Sequence, residues 1–229
     1  MRDRGSKGTR RAATPVPPHV DDELTGADIE QLADDREWTD LEITGDLNAL
    51  DAQGVGISAC RFVHTQLSGS NLSHARLVDS VFVDCDLSGM ALEVSTLIRV
   101  EFRNCRLSGL VLNGSTLRDV FITDSKADGM SMRGASCECT TIERSALRGV
   151  DLSASRLVMT RLFDCDLEDS DFSRASFDDV KLHGSSLSGL RGIGDIRGVS
   201  IGDEQLGDFA LGLLAAHQIT VTERENETE

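Results

Sequence analysis

The chain has 229 residues, a formal net charge of −16 and 4% aromatic residues, with one Trp and no Tyr. Its length fits one domain with tails, and so few rings point to a narrow core. The negative charge argues against nucleic acid or an anionic membrane as a direct partner, because both are polyanions.

Residues 1–11 carry Arg2, Arg4, Lys7, Arg10 and Arg11, and "AATPVPPHV" then holds all three prolines of the chain, at 15, 17 and 18. This composition predicts a disordered basic, proline-containing arm over 1–20. No apolar run approaches the roughly 20 residues of a membrane span. The N-terminus lacks the apolar stretch of a secretory signal, so the expected location is the cytoplasm. Residues 21–44 form an acidic segment, in which Thr25 and Asp28 are spaced to cap a short helix over Ile29 and Leu32.

A repeat dominates the middle of the chain. Every fifth position from Phe62 to Leu187 gives 26 residues: 16 Leu, five Phe, two Ile, and Ala127, Met132 and Cys137. Two positions earlier stands Ala, Ser, Thr, Cys or Val in 23 of the 26 pentads, the exceptions being Met90, Leu110 and Met130. A period of five suits neither a helix nor a simple alternating strand. A second period, of twenty, aligns Phe62, Phe82, Phe102, Ile122, Ile142, Leu162 and Leu182. It also aligns Gly69, Gly89, Gly109, Gly129, Gly149 and Gly189, with Asp169 filling the one remaining place. Twenty residues therefore make one coil of four short sides and four turns. The glycine column marks a turn that needs positive φ, which Asp tolerates better than most residues. Coils stacked as parallel ladders about 4.8 Å apart make a rod of roughly 30 Å. The absence of proline fits, since each would remove a ladder hydrogen bond.

The pattern A/S/C/T-x-L/F-x-x resembles that of the pentapeptide repeat family, and "SNLSH", "CDLSG", "VDLSA" and "SDFSR" lie close to its consensus. The match is strong over 60–188 and weaker over 45–59. It implies an all-β solenoid, a right-handed quadrilateral parallel β-helix, placed here over 45–190. An open last coil needs a cover. Residues 191–222 are read as that C-terminal helical cap. A helix starting near Asp203 and running to about Ala216 puts Leu206, Phe209, Ala210, Leu213 and Leu214 on one face. This ending resembles that of family members associated with fluoroquinolone resistance, which dimerise through this end and bind DNA gyrase as DNA mimics. The resemblance implies a homodimer through the C-terminal end and a type II topoisomerase as the protein partner. Residues 223–229 read as an acidic tail.

Catalytic motifs are missing: there is no P-loop, no GxSxG and no HExxH. The expectation is a protein that is no enzyme and takes no cofactor and no metal. "DCDL" occurs at 84–87 and again at 164–167, eighty residues or four coils apart. In this register its Cys and Leu point inward, and its aspartates flank a corner as surface residues. Cys60, Cys85, Cys105, Cys137 and Cys165 are read as core thiols. Cys139 is the one outward thiol and the best candidate for modification. Between 47 and 187 stand 19 Asp plus Glu against 14 Lys plus Arg, a net of −5, which weakens DNA mimicry by the rod as a whole. Acid concentrates locally, in Asp164, Asp166, Glu168, Asp169, Asp171, Asp178 and Asp179, against Arg174 alone. These seven form the candidate partner-binding patch. Upstream coils carry mixed charge and the outward apolar residues Val78, Ile98, Phe121 and Val158, which suit ordinary protein binding. The leading reading is a non-catalytic binding scaffold. The alternative is a DNA-mimicking modulator of DNA gyrase or topoisomerase IV, conferring protection or fluoroquinolone resistance. A metal-dependent enzyme comes a distant third.

Overall fold

The computed structural model describes residues 14–27, 32 and 35–222. Among them, fifteen strands join through parallel pairs into one continuous sheet that winds around a single core. Most strands have two or three residues, and three have eight: Arg76–Val83, Thr96–Arg103 and Thr116–Thr123. Neighbouring strands pair with residues twenty apart, as in Phe62 with Phe82, Phe102 with Ile122 and Ile142 with Leu162. The molecule is a right-handed quadrilateral parallel β-helix of about eight turns, closed by one helix. We number the sides by their central columns, which begin at Phe62, Leu67, Leu72 and Leu77.

The ladder reaches beyond 45–190 at both ends. Trp38 pairs with Ile57, and Ile43 with Phe62, each at an offset of nineteen. Thr25 pairs with Leu41, and Val180 with Val199. Thr25, expected to cap a helix, therefore lies in a strand. The expected helix over Ile29 and Leu32 falls outside the described residues except for Leu32, whose carbonyl accepts a hydrogen bond from Trp38 Nε1 at 3.2 Å.

The pentad explains the turns. Ser70 N–H closes on Leu67 C=O at 3.2 Å, with Gly69 at φ 67° in the third position. That is a type II turn, which requires positive φ there. The expected glycine column is left-handed throughout, and Asp169 joins it at φ 59°. The other three corners are left-handed as well, at His64, His74 and Asp79 and at their equivalents in later coils. There the residue is often Asp, Asn, His or Arg, so the sequence displays one corner out of four.

Inside, large centres stack in columns. The rings of Phe62 and Phe82 lie 4.3 Å apart at an 8° tilt, and those of Phe82 and Phe102 lie 4.9 Å apart. Burying each such side chain contributes about 1.5–3 kcal/mol. The small inward positions tolerate hydroxyls because the turns use them. Ser70 Oγ donates to Leu47 C=O at 2.8 Å, and Ser115 Oγ to Leu92 C=O at 2.7 Å. A buried serine paired in this way escapes the desolvation penalty of an unmade bond.

One expectation fails at the N-terminus. Residues 14–20, assigned to a disordered arm, lie against the rod. Val16 N–H donates to Asp119 and His19 N–H to Asp79. Their proline content, read as a sign of disorder, instead stiffens an extended strap. Residues 1–13 of that arm and the acidic tail at 223–229 lie outside the described residues.

Candidate functional site

The seven acids of the candidate patch belong to one coil, and a coil turns through all four sides. Asp164 stands at the corner between the first and second sides, and Asp166 opens the second. Glu168 and Asp169 make the next corner, Asp171 opens the third side, and Asp178 and Asp179 make the corner before the first side returns. A run of sixteen residues in a twenty-residue coil must encircle the rod. These acids form a belt instead of a patch on one face.

Their electrostatics divide them further. Arg148, one coil below, lies 3.5 Å from Asp166 and also pairs with Glu168. Arg191, one coil above, lies 3.6 Å from Asp171. Among the described residues Asp164, Asp169, Asp178 and Asp179 have no ion-pair partner, and all four are exposed. Burial alone would raise the Asp166 carboxyl. The Ser186 hydroxyl, the Glu168 N–H and Arg148 overcome this and hold it below the usual range. Asp171 is lowered chiefly by hydrogen bonding from Ser173. Three of the seven are thus engaged with the rod, and four are open to a partner.

The cap follows the expected span, with a 3₁₀ turn at Asp203–Gln205 leading into helix α1, Leu206–Ala216. Its expected single face divides. Phe209 and Leu213 pack against the core, whereas Leu206 is 63% exposed and Ala210 is exposed. Close approach is made by a glycine: a Cβ on Gly212 would come within 2.8 Å of Ile193 Cδ1. The residue that caps the open edge is Gln205, which is absent from the expected face. It is buried, and its Nε2 donates to Leu182 C=O and to Ser185 C=O, both at 2.6 Å. Its Oε1 accepts Gly202 N–H at 2.6 Å. Gly202 has no side chain to complete a capping box, so the local sequence carries no signal that points to it.

Five of the six cysteine thiols are raised, and a hydrogen bond with Cys105 lowers that of Cys85. All six are free and buried. Burial pushes Cys137 up to about 12 and Cys165 up to about 11. Cys139, expected to face outward and be open to modification, is 8% exposed, and burial raises its thiol too. Its side chain does leave the core, but it sits on the corner where solvent is excluded. Among the described residues no group of three or more His, Cys, Asp or Glu is placed to hold a metal ion. No helix there is long and apolar enough to cross a membrane.

Sequence models of pentapeptide repeats match the chain twice. One, described as a pentapeptide repeat region, covers residues 55–132, and one, described as eight copies of pentapeptide repeats, covers residues 147–189. Together they span just over half the chain. No curated protein matches it. Among solved structures, a trypsin-treated variant of QnrB1, described as a plasmid-mediated fluoroquinolone resistance protein, is 22% identical, over 81% of this chain and 90% of that one, with a TM-score of 0.44. HetL, a pentapeptide repeat protein involved in heterocyst differentiation regulation from the cyanobacterium Nostoc sp. strain PCC 7120, is 16% identical, over 70% and 91%, with a TM-score of 0.29. Rfr23 from the cyanobacterium Cyanothece 51142 is 13% identical, over 73% and 84%, with a TM-score of 0.22.

Proposed function

Since the chain belongs to the pentapeptide repeat family, we propose that it is a non-catalytic scaffold that binds a protein partner along the outside of its rod. The observation that carries this is the unbroken twenty-residue register. It lines outward side chains into straight columns parallel to the axis, and a partner meets a column as one continuous surface. The outward residues are of binding type: Val78, Val81, Ile98 and Phe121 are half-buried beside charged neighbours such as Glu101 and Arg118. Photo-crosslinking residues placed in cells at exposed positions of each column test the reading. Adducts to one protein at successive positions of one or two columns support it. A lack of adducts at every column contradicts it.

A second reading is favoured by one feature, the belt of exposed acids beside the helical end. If Leu206 and Ala210, which face away from the rod, pair with a second copy, two acidic belts would stand near the middle of a double rod. Such a dimer would engage a type II topoisomerase, as the resemblance of this ending implies. Supercoiling by DNA gyrase, with and without a fluoroquinolone, tests it. No change at micromolar protein removes the topoisomerase reading and leaves the scaffold reading standing. Sedimentation of Leu206→Asp tests the dimer: a protein that is dimeric before the change and monomeric after it supports the contact, and a protein monomeric throughout refutes it.

A further inference from the structure

The corner between the fourth and first sides differs from the other three. Its column runs Asp79, Arg99, Asp119, Cys139, Met159 and Asp179, all left-handed. Outward side chains here are withdrawn from solvent: Asp119 is 9% exposed, and Cys139 and Val158 are each 8% exposed. Residues 14–20 lie along this column. Val16 N–H donates to Asp119 Oδ1 at 3.0 Å, and His19 N–H donates to Asp79 Oδ1 at 3.0 Å. Just beyond, Asp21 C=O accepts from an Arg61 guanidinium nitrogen at 3.2 Å. Pro15 is buried.

Two features show a match of register. The first is which donors exist. In "PVPPH" the prolines have no N–H, so only Val16 and His19 can donate, and the column aspartates accept both. The second is pitch. Thr14, Val16 and Pro17 each precede a proline and are held extended. A polyproline II segment advances about 3.1 Å per residue, hence about 9.3 Å from Val16 to His19. Asp79 and Asp119 are two coils apart, about 9.6 Å at ladder spacing. One turn of the strap therefore spans two coils of the rod. Asp79 is also held in place, and Asp119 has a cation beside it. Arg99, on the coil between, donates its Nε to Asp79 Oδ1 at 2.6 Å. Arg118 Nε lies 3.8 Å from Asp119 Oδ2.

We propose that this column is a peptide-binding track. It takes an extended, proline-containing segment by its backbone N–H groups at positions i and i+3. Residues 14–20 fill the track in the free chain, and a partner's segment of the same chemistry binds by displacing them. This deepens the scaffold reading and rests on it for its partner, but not for the binding itself. Recognition is of backbone, so the side chains of the two donor residues stay available: Val16 is 52% exposed and His19 is exposed. The chain's own strap competes at high effective concentration, so a partner gains entry when it makes further contacts along the rod.

The test uses the full chain. Val16→Pro with His19→Pro deletes both donors and keeps the strap extended. A fluorescent peptide with the sequence of residues 12–22 should bind this variant at least about tenfold more tightly than it binds the unaltered chain. Adding Asp79→Gly and Asp119→Gly should weaken that binding by more than about tenfold. Glycine is chosen because both positions are left-handed, at φ 49° and 55°, so the backbone is kept. Should the double glycine variant fail to fold, each single Asp→Gly change carries the same test through a partial loss. Peptide that does not bind the Val16→Pro, His19→Pro chain overturns the proposal. So does peptide that binds equally well after the aspartates are removed. Neither result bears on the cellular crosslinking, so the two readings fail separately.

Discussion

The seam beneath residues 14–20 and the belt over residues 164–179 are both rich in aspartate, and they are put together in opposite ways. In the seam, Asp79 and Asp119 are forty residues apart in sequence yet stand in one column and grip one segment. In the belt, Asp164, Asp169 and Asp179 are close in sequence yet occupy three different corners. In a solenoid of this pitch, neighbours along a surface are residues twenty apart, and sequence neighbours diverge around the axis. A composition window finds belts, whereas a spacing of twenty finds columns.

The largest expected effect comes from the platform under the seam. Phe82 stacks between Phe62 and Phe102, and Phe82→Ala should lower stability by about 3–5 kcal/mol in chemical denaturation. Because coils contact only their neighbours, the loss of amide protection should concentrate around 60–105 and spare the belt. Protection lost uniformly along the rod would show that the two regions are not separable.

The belt rests on the cap instead. Gln205→Ala leaves Ser185 C=O buried without its donor and Leu182 C=O with only the 3.2 Å turn bond from Ser185 N–H, at an expected loss of about 1–3 kcal/mol. Thermal unfolding of this variant should begin in coils 160–190 and leave the strap docked.

The strap itself contributes less. Asp79→Gly should destabilise by about 1–2 kcal/mol, with the difference read from denaturation midpoints. Its pH dependence has a definite sign. The Arg99 hydrogen bond is the main influence holding the Asp79 carboxyl below the usual carboxylate range, assisted by the His19 N–H and opposed by burial. The contribution is therefore whole above the ordinary carboxylate pKa of about 4 and is lost as pH falls through the lower folded value. Strap release on acidification, followed at Val16 and His19, checks this. Release on raising the pH from about 5 to about 8 would contradict it.

The smallest effect lies in the exposed part of the belt. Asp178→Lys with Asp179→Lys should change stability by less than about 0.5 kcal/mol, because neither carboxylate is engaged with the rod. A larger change would show that the belt is a structural element like the seam.

The fold is legible in the sequence because packing writes its period into every centre. Phe62, Leu67, Leu72 and Leu77 each fill one side, and Leu, Phe or Ile stands at 23 of the 26 centres. The glycine column can be read for the same reason. The corners at Asp79 and His64 cannot, since polar residues there accept the same left-handed backbone without a telltale glycine. Gln205 stays hidden because its partners are carbonyls of the last coil, which no local pattern announces. The strap escapes a reading of composition because proline has two consequences: it removes donors that a sheet needs, and it pre-forms an extended segment. Only the placement of two matching acceptors, Asp79 and Asp119, decides between them. The burial of Cys139 is hidden likewise, because an outward direction does not guarantee an outward exposure.

The most direct test of the claim that one column of the rod grips the strap is amide hydrogen exchange at Val16 and His19 in the intact chain. Both amides should be protected relative to an unstructured peptide of the same sequence. Both should revert to the peptide rate in Asp79→Gly, Asp119→Gly, and both should keep their protection in Asp178→Lys, Asp179→Lys. Exchange of both amides at the peptide rate in the unaltered chain would refute the docking of the strap.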